Sequence, residues 1–215
     1  MEEAVRIPAG PLNLEGLLTR RPGAGGAVLT HPHPLYGGDM HNDVVEALAA
    51  VYARAGFTTL RFNFRGTGGS EGAYENGEGE TEDVRHAVAL LAASGSSEIH
   101  LAGYSFGAWV NARVLDRIPE VRDMVMVSPP VDLMDFSFLG LSPRIGLVVT
   151  GTRDEIAGAS HVEALLPRWN PKAAFRVIPG ADHFYHGYTD ALQAVLEEHL
   201  AALGGLAPGG EVDGA

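Results

Sequence analysis

Ile99-His100-Leu101-Ala102-Gly103-Tyr104-Ser105-Phe106-Gly107-Ala108-Trp109-Val110-Asn111-Ala112-Arg113-Val114-Leu115 is the stretch that decides the reading of this chain. Residues 99–102 have strand character and residues from Phe106 onward have helix character, so Gly103-x-Ser105-x-Gly107 falls on a strand-to-helix turn. That placement is the nucleophile-elbow pattern. Glycines two positions either side of the serine let strand and helix approach without Cβ clashes at a sharp, strained turn. The hydroxyl then projects above the sheet edge at a helix N-terminus, where the dipole favours developing negative charge. Taken alone, the pentapeptide could equally hold an ordinary N-cap serine.

A serine nucleophile needs a general base, and the base needs an orienting carboxylate, in the chain order Ser, Asp or Glu, His. Ile145-Gly146-Leu147-Val148-Val149-Thr150 reads as a buried strand and leads into Gly151-Thr152-Arg153-Asp154. Phe175-Arg176-Val177-Ile178-Pro179 reads as another and leads into Gly180-Ala181-Asp182-His183-Phe184. Ser105, Asp154 and His183 are therefore all expected just past strand C-termini, where open α/β sheets bind ligands. Singly, Asp154 could be a loop aspartate and His183 a structural histidine. Asp182 is a poor rival acid, because neighbours in an extended segment point apart. His186 is the second choice for base, at the expected start of the last helix.

These segments, with Thr30-His31-Pro32-His33-Pro34-Leu35-Tyr36-Gly37-Gly38 and Arg61-Phe62-Asn63-Phe64-Arg65-Gly66, give the chain a resemblance to the α/β-hydrolases. It is most similar to small lidless bacterial hydrolases related to dienelactone hydrolases and to prolyl-oligopeptidase-type catalytic domains. The resemblance covers roughly residues 1–203. It implies an α/β fold, a mostly parallel central sheet with helices on both faces and no cap domain. It also implies Ser105 as nucleophile, Asp154 as orienting acid and His183 as base. It says little of substrate, because this fold hosts many chemistries.

Composition fits one soluble α/β domain over 1–203 with a Gly- and acid-rich tail over 204–215 expected to be disordered. Hydrophobic content of 46% and charged content of 20% are globular values. A net charge of −12 argues against nucleic acid or an anionic membrane as partner. With no cysteine there is no disulfide, thiol nucleophile or thiolate metal site. Met1-Glu2-Glu3-Ala4-Val5-Arg6-Ile7-Pro8 shows no apolar run of a signal peptide, and no stretch has membrane-spanning length. Cytoplasm is the expected compartment.

Strands and helices alternate, as in a mainly parallel sheet. Val5–Ile7 and Leu12–Leu18 suggest an N-terminal hairpin, and Gly26–Thr30 the first central strand. A helix is expected from about Asn42 to Ala55, a strand over Thr58–Phe64 and a second helix from about Thr81 to Ala93. Glu78, Glu80, Glu82 and Asp83 cluster at the positive end of that helix, a stabilised start rather than a metal site. Asp123–Val127 reads as a strand. A last helix from about Asp190 to Leu203 should bury Leu192, Val195, Leu196, His199, Leu200 and Leu203.

Residues 129–143 are too few for a cap domain, yet Leu133, Met134, Phe136, Phe138, Leu139 and Leu141 make them unusually apolar. A small helical flap is expected there, beside the site or under a homodimer contact. His31-Pro32-His33-Pro34, with His41 nearby, invites a zinc reading, but no carboxylate sits at metal-ligand spacing with these histidines. In the acyl-transfer reading this loop supplies the second oxyanion-hole N–H. Proline has none, which leaves His33, Leu35 or Tyr36, with Leu35 favoured and Tyr36 second. The first N–H would be that of Phe106. Phe64-Arg65-Gly66-Thr67-Gly68-Gly69-Ser70 lacks a phosphate-loop lysine, and Arg65 is read chiefly as half of a structural ion pair.

The expected function is a serine hydrolase (carboxylesterase-like) acting on a small or short-acyl ester or thioester, with no cofactor and no metal. The alternatives are a peptidase-like amide hydrolase and a non-catalytic scaffold acting as an interaction module.

Overall fold

The computed structural model describes residues 2–204, so the expected tail lies outside them but for Gly204. In chain order the elements are β1 (Glu2–Ala9), β2 (Leu12–Thr19), β3 (Gly25–Thr30), α1 (Asp43–Arg54), β4 (Thr58–Phe62), α2 (Glu78–Ala93), β5 (Glu98–Tyr104), α3 (Phe106–Val114), β6 (Val121–Val127), β7 (Ile145–Gly151), α4 (Ala159–Trp169), β8 (Ala174–Ile178) and α5 (Thr189–Ala202). The strands make one sheet in the order β1-β2-β4-β3-β5-β6-β7-β8. β1 and β2 form an antiparallel hairpin, β2 meets β4 antiparallel, and the remaining pairs run parallel.

β3 and β4 are buried along their whole length because helices cover both sheet faces. Val44, Leu48 and Tyr52 of α1 pack with Leu192 and Leu196 of α5 over one face. Val84, Val88 and Leu91 of α2, Val110 of α3, and Leu166 and Trp169 of α4 fill the other. The chain passes from β3 through α1 to β4 on one side, then through α2 to β5 on the other. β3 is thus flanked by β4 and β5, and a crevice opens at the C-terminal ends of β3 and β5.

The structure departs from three expectations and adds one helix. α2 begins at Glu78 rather than Thr81, because the Glu80 carboxylate accepts the N–H groups of Gly77 (2.7 Å) and Glu75 (2.9 Å) and caps an extra turn. Leu203 follows the last helical residue and is exposed. Residues 129–143 form turns and no helix. Val131, Phe136 and Leu139 are buried in the core, and the Trp109 Nε1–H donates to the Asp135 carbonyl (2.8 Å), so the segment is anchored. The helix α4 is not anticipated by the sequence pattern. Its apolar face is only Val162, Leu166 and Trp169, and Pro167 sits in its last turn, where it reads as a breaker.

Arg65 is the expected structural cation. Its guanidinium donates to both Asp83 carboxylate oxygens (2.8 and 3.2 Å) and to Glu75 (2.9 Å), and its backbone N–H also donates to Asp83 (3.0 Å). This cluster ties the loop after β4 to α2. The Asp83 side chain is fully buried, and burial raises its pKa even against the Arg65 bonds that oppose the shift. Arg65→Met should therefore cost about 3–5 kcal/mol at neutral pH in urea denaturation, by stranding a buried carboxylate. In that variant the folded-state pKa of Asp83 climbs further above its unfolded value. The penalty is complete above that pKa and is lost as pH falls through it, so the deficit relative to wild type should shrink toward acid. A deficit that grows on acidification would contradict this assignment.

Candidate active site

The turn after β5 places Ser105 at φ 54°, ψ −117°, a backbone rarely tolerated by a residue with a side chain. A Cβ on Gly103 would lie 2.6 Å from the Ala108 nitrogen, and one on Gly107 would lie 2.6 Å from the Thr30 carbonyl oxygen. Both clashes are with backbone, so both glycines are sterically required. The Ser105 N–H donates to the Val127 carbonyl (2.9 Å), which ties the turn to β6. α3 starts at Phe106, whose N–H points out of the helix start as one of its unpaired donors.

The structure brings the three expected side chains into one line. His183 Nε2 lies 2.9 Å from Ser105 Oγ, and His183 Nδ1 lies 3.0 Å from both Asp154 carboxylate oxygens. All three residues are buried. Asp154 Oδ1 also accepts the Ile156 (3.0 Å) and Ala157 (2.7 Å) N–H groups, which close the loop after β7 around it. Burial works to raise the Asp154 pKa, but hydrogen bonds from His183, Ser128 and Ala157 outweigh it and hold the carboxyl below its ordinary value. A carboxylate acceptor at Nδ1 puts the imidazole proton there, leaving Nε2 with a lone pair toward Ser105.

Sequence reasoning did not find the groups that hold His183 in place. The buried Tyr104 hydroxyl donates to the His183 carbonyl (2.6 Å). Tyr185 is fully buried at φ 57°, with its hydroxyl 2.8 Å from Ser128 Oγ. Asp182 is the turn former between them: its Oδ1 accepts the N–H groups of Phe184 (3.0 Å) and Tyr185 (3.1 Å). His186 lies in the turn before α5, exposed and stacked on Phe184, not beside Ser105. The only advance signal was the crowding of Tyr, Asp and His around one strand end.

The two histidines of the loop after β3 are also fixed by backbone groups. His31 Nε2 accepts the Phe64 N–H (3.0 Å) and its Nδ1 is 2.7 Å from the Pro32 carbonyl, so the proton sits on Nδ1. Burial drives its pKa down to about 4. His33 Nδ1 accepts the Leu35 N–H (3.2 Å), so its proton sits on Nε2, 3.1 Å from the Tyr74 hydroxyl. Burial lowers the His33 pKa as well. The favoured oxyanion donors meet a difficulty here. The Leu35 N–H is spent on the His33 ring and the Tyr36 N–H on the His33 carbonyl (3.1 Å), because residues 34–36 wind into a 3-10 turn. Among the described residues no three His, Cys, Asp or Glu side chains gather to hold a metal ion, and His31, His33 and His41 do not converge on one.

A mostly parallel sheet with a strained serine turn at its central crevice defines an α/β-hydrolase architecture, and among the described residues there is no separate cap domain. Known proteins agree. A family profile described as alpha/beta hydrolase fold matches residues 35–146. An uncharacterized protein of Rickettsia prowazekii (strain Madrid E) is 36% identical over 192 residues, 85% of this chain and 81% of its own. An alpha-beta serine hydrolase homologue from Coxiella burnetii superposes with a TM-score of 0.86 at 36% identity, covering 92% of this chain and 97% of that one. XC6422 from Xanthomonas campestris, described as a serine hydrolase without lid, gives 0.84 at 30% identity over 94% of both chains. The chain belongs to the α/β-hydrolase family. No helix of the described residues is long and apolar enough to cross a membrane.

The hydrogen-bond partners imply opposite tautomers for the two histidines of the site, and one experiment reads both. In ¹H–¹⁵N correlation spectra at neutral pH, His183 should carry its proton on Nδ1 and His33 on Nε2. His33 should titrate below the ordinary histidine range. A His33 ring protonated on Nδ1 would show that the cap on the 34–36 turn is not made in solution.

Proposed function

We propose that the protein is a serine hydrolase that cleaves a carboxylic ester, or thioester, of a small or short-acyl substrate through an acyl-enzyme. The observation that carries this reading is the unbroken hydrogen-bonded line from Ser105 through His183 to Asp154. Ser105 Oγ attacks the carbonyl carbon while His183 Nε2 takes its proton. Asp154 holds the imidazole in the tautomer that makes this possible and stabilises the imidazolium. The C–O bond to the leaving group breaks as His183 returns the proton to the departing oxygen. Water then attacks the acyl-enzyme, again losing its proton to His183, and the acid departs with Ser105 reprotonated.

Negative charge on the carbonyl oxygen is met by the Phe106 N–H at the α3 start and by one N–H of the 33–36 loop. With the Leu35 and Tyr36 donors taken up inside the turn, the His33 backbone N–H is the better assignment. The His33 ring fits this role, since its bonds to Leu35 and Tyr74 fix the residue that carries the donor.

Ser105→Ala should abolish hydrolysis of a short p-nitrophenyl ester without loss of fold by circular dichroism. His183→Ala and Asp154→Asn should each lose on the order of a thousandfold in kcat, because the three act as a unit. An active His183→Ala variant, or full activity in Ser105→Ala, would remove the proposal.

Of the side chains that could close over a chain, Phe136 and Leu139 are buried in the core and the exposed Phe138 is held against Phe136 and Trp109, so short acyl groups are favoured. Each enclosed methylene would be worth about 0.8 kcal/mol, so an enclosing tunnel would raise kcat/KM steeply with length. Across a series from acetate to palmitate, kcat/KM should instead peak at about two to six carbons. A peak at about twelve carbons or beyond would mean that long chains are enclosed after all.

A further inference from the structure

Phe184 follows His183 directly and is a large apolar side chain left 59% exposed. Its backbone is not free. The Phe184 N–H is held by Asp182 Oδ1 (3.0 Å), the preceding carbonyl by the Tyr104 hydroxyl (2.6 Å), and the next residue is the buried Tyr185. The Phe184 ring meets the His183 ring edge-on with centroids 5.8 Å apart and stacks on His186 at 5.9 Å and 22°. An aromatic pair is thus presented to solvent on a pinned loop, beside the group that must protonate the departing oxygen.

Resting on the serine-hydrolase reading above, we propose that Phe184, backed by His186, is the leaving-group subsite and that it selects esters of aromatic alcohols. For His183 to hand its proton to the leaving oxygen, that oxygen must lie within hydrogen-bond reach of Nε2. The first few atoms of the alcohol are then confined to the surface bordering His183, and Phe184, whose ring meets the His183 ring edge-on, is an exposed apolar side chain on that surface. A ring on the alcohol can pack against Phe184 in the offset or edge-to-face arrangement that aromatic pairs prefer. Little ordering is needed on the protein side, because the loop is already fixed. The subsite acts only on acylation: once the alcohol has left, deacylation is the same for every ester of a given acid. By microscopic reversibility the same surface should receive aromatic alcohols as acyl acceptors.

The test compares methyl, cyclohexylmethyl and benzyl acetate, which share one acyl group and have similarly poor leaving groups. In the wild type, kcat/KM should rank benzyl above cyclohexylmethyl above methyl. Phe184→Ala should lower kcat/KM for benzyl acetate about three- to tenfold, the worth of one aromatic pair, and leave methyl acetate nearly unchanged. Phe184→Tyr should restore the preference, and Phe184→Leu should retain only the part shared with cyclohexylmethyl acetate. With benzyl alcohol and methanol competing as acceptors, Phe184→Ala should shift the products toward methyl ester. An equal loss on all three esters would show that Phe184 merely supports His183, and an unchanged benzyl preference would show that the alcohol lies elsewhere. Either result overturns the subsite while leaving the serine-hydrolase reading intact. A wild type that hydrolyses none of the three defeats that reading, and the subsite with it.

Discussion

The backbone of Ser105, at φ 54° and ψ −117°, is the constraint on which the rest of the site depends. Holding one residue in such a conformation costs roughly 1–3 kcal/mol and requires surroundings that leave no alternative. Those surroundings are specific. β5 is locked between β3 and β6, the Ser105 N–H is bound to Val127, and α3 packs so close that neither Gly103 nor Gly107 has room for a Cβ. A relaxed turn would let the serine bury its hydroxyl or cap α3. The strained one points it at His183.

Loops from neighbouring strands fix one another through buried polar groups. Ser128, just past β6, contacts the Tyr185 hydroxyl of the loop after β8, while Tyr104 of β5 holds the His183 carbonyl. The loop after β7 wraps the Asp154 carboxylate in its own N–H groups. Three histidines near the site have their protons assigned by partners of fixed polarity: Asp154 for His183, the Phe64 N–H for His31, the Leu35 N–H for His33. Burial lowers the pKa of both His31 and His33, which favours their neutral forms beside Ser105. A preorganised, fixed-polarity environment of this kind is what stabilises developing charge without reorganisation.

The parts of this arrangement that were legible in the sequence are those set by local sterics and chain order. Gly-x-Ser-x-Gly between an apolar run and a helical run admits few geometries, and an Asp and a His past two later strands complete a known order. What was not legible depends on partners far apart in sequence or on side chains acting as caps. Proline has no N–H to donate, but nothing in His-Pro-Leu-Tyr reveals that the His33 ring takes the Leu35 N–H. Glu80 looked like one acid among four at a helix start, yet it alone reaches back to cap the helix. The apolar 129–143 segment suggested a helical flap because composition does not say which face is buried. Phe136, packed on Trp169 of a helix that the pattern had not shown, is what turns it into an anchor.

Ser105, and no other hydroxyl, is proposed as the activated nucleophile. A fluorophosphonate probe tests it directly, since the activated oxygen forms an O–P bond as fluoride leaves and the proton passes to the base. After labelling, peptide mass spectrometry should place a single adduct on Ser105, and the labelling rate should fall sharply in His183→Ala. No adduct, or an adduct on another hydroxyl such as Ser128 (the other serine with a positive φ), would contradict the account.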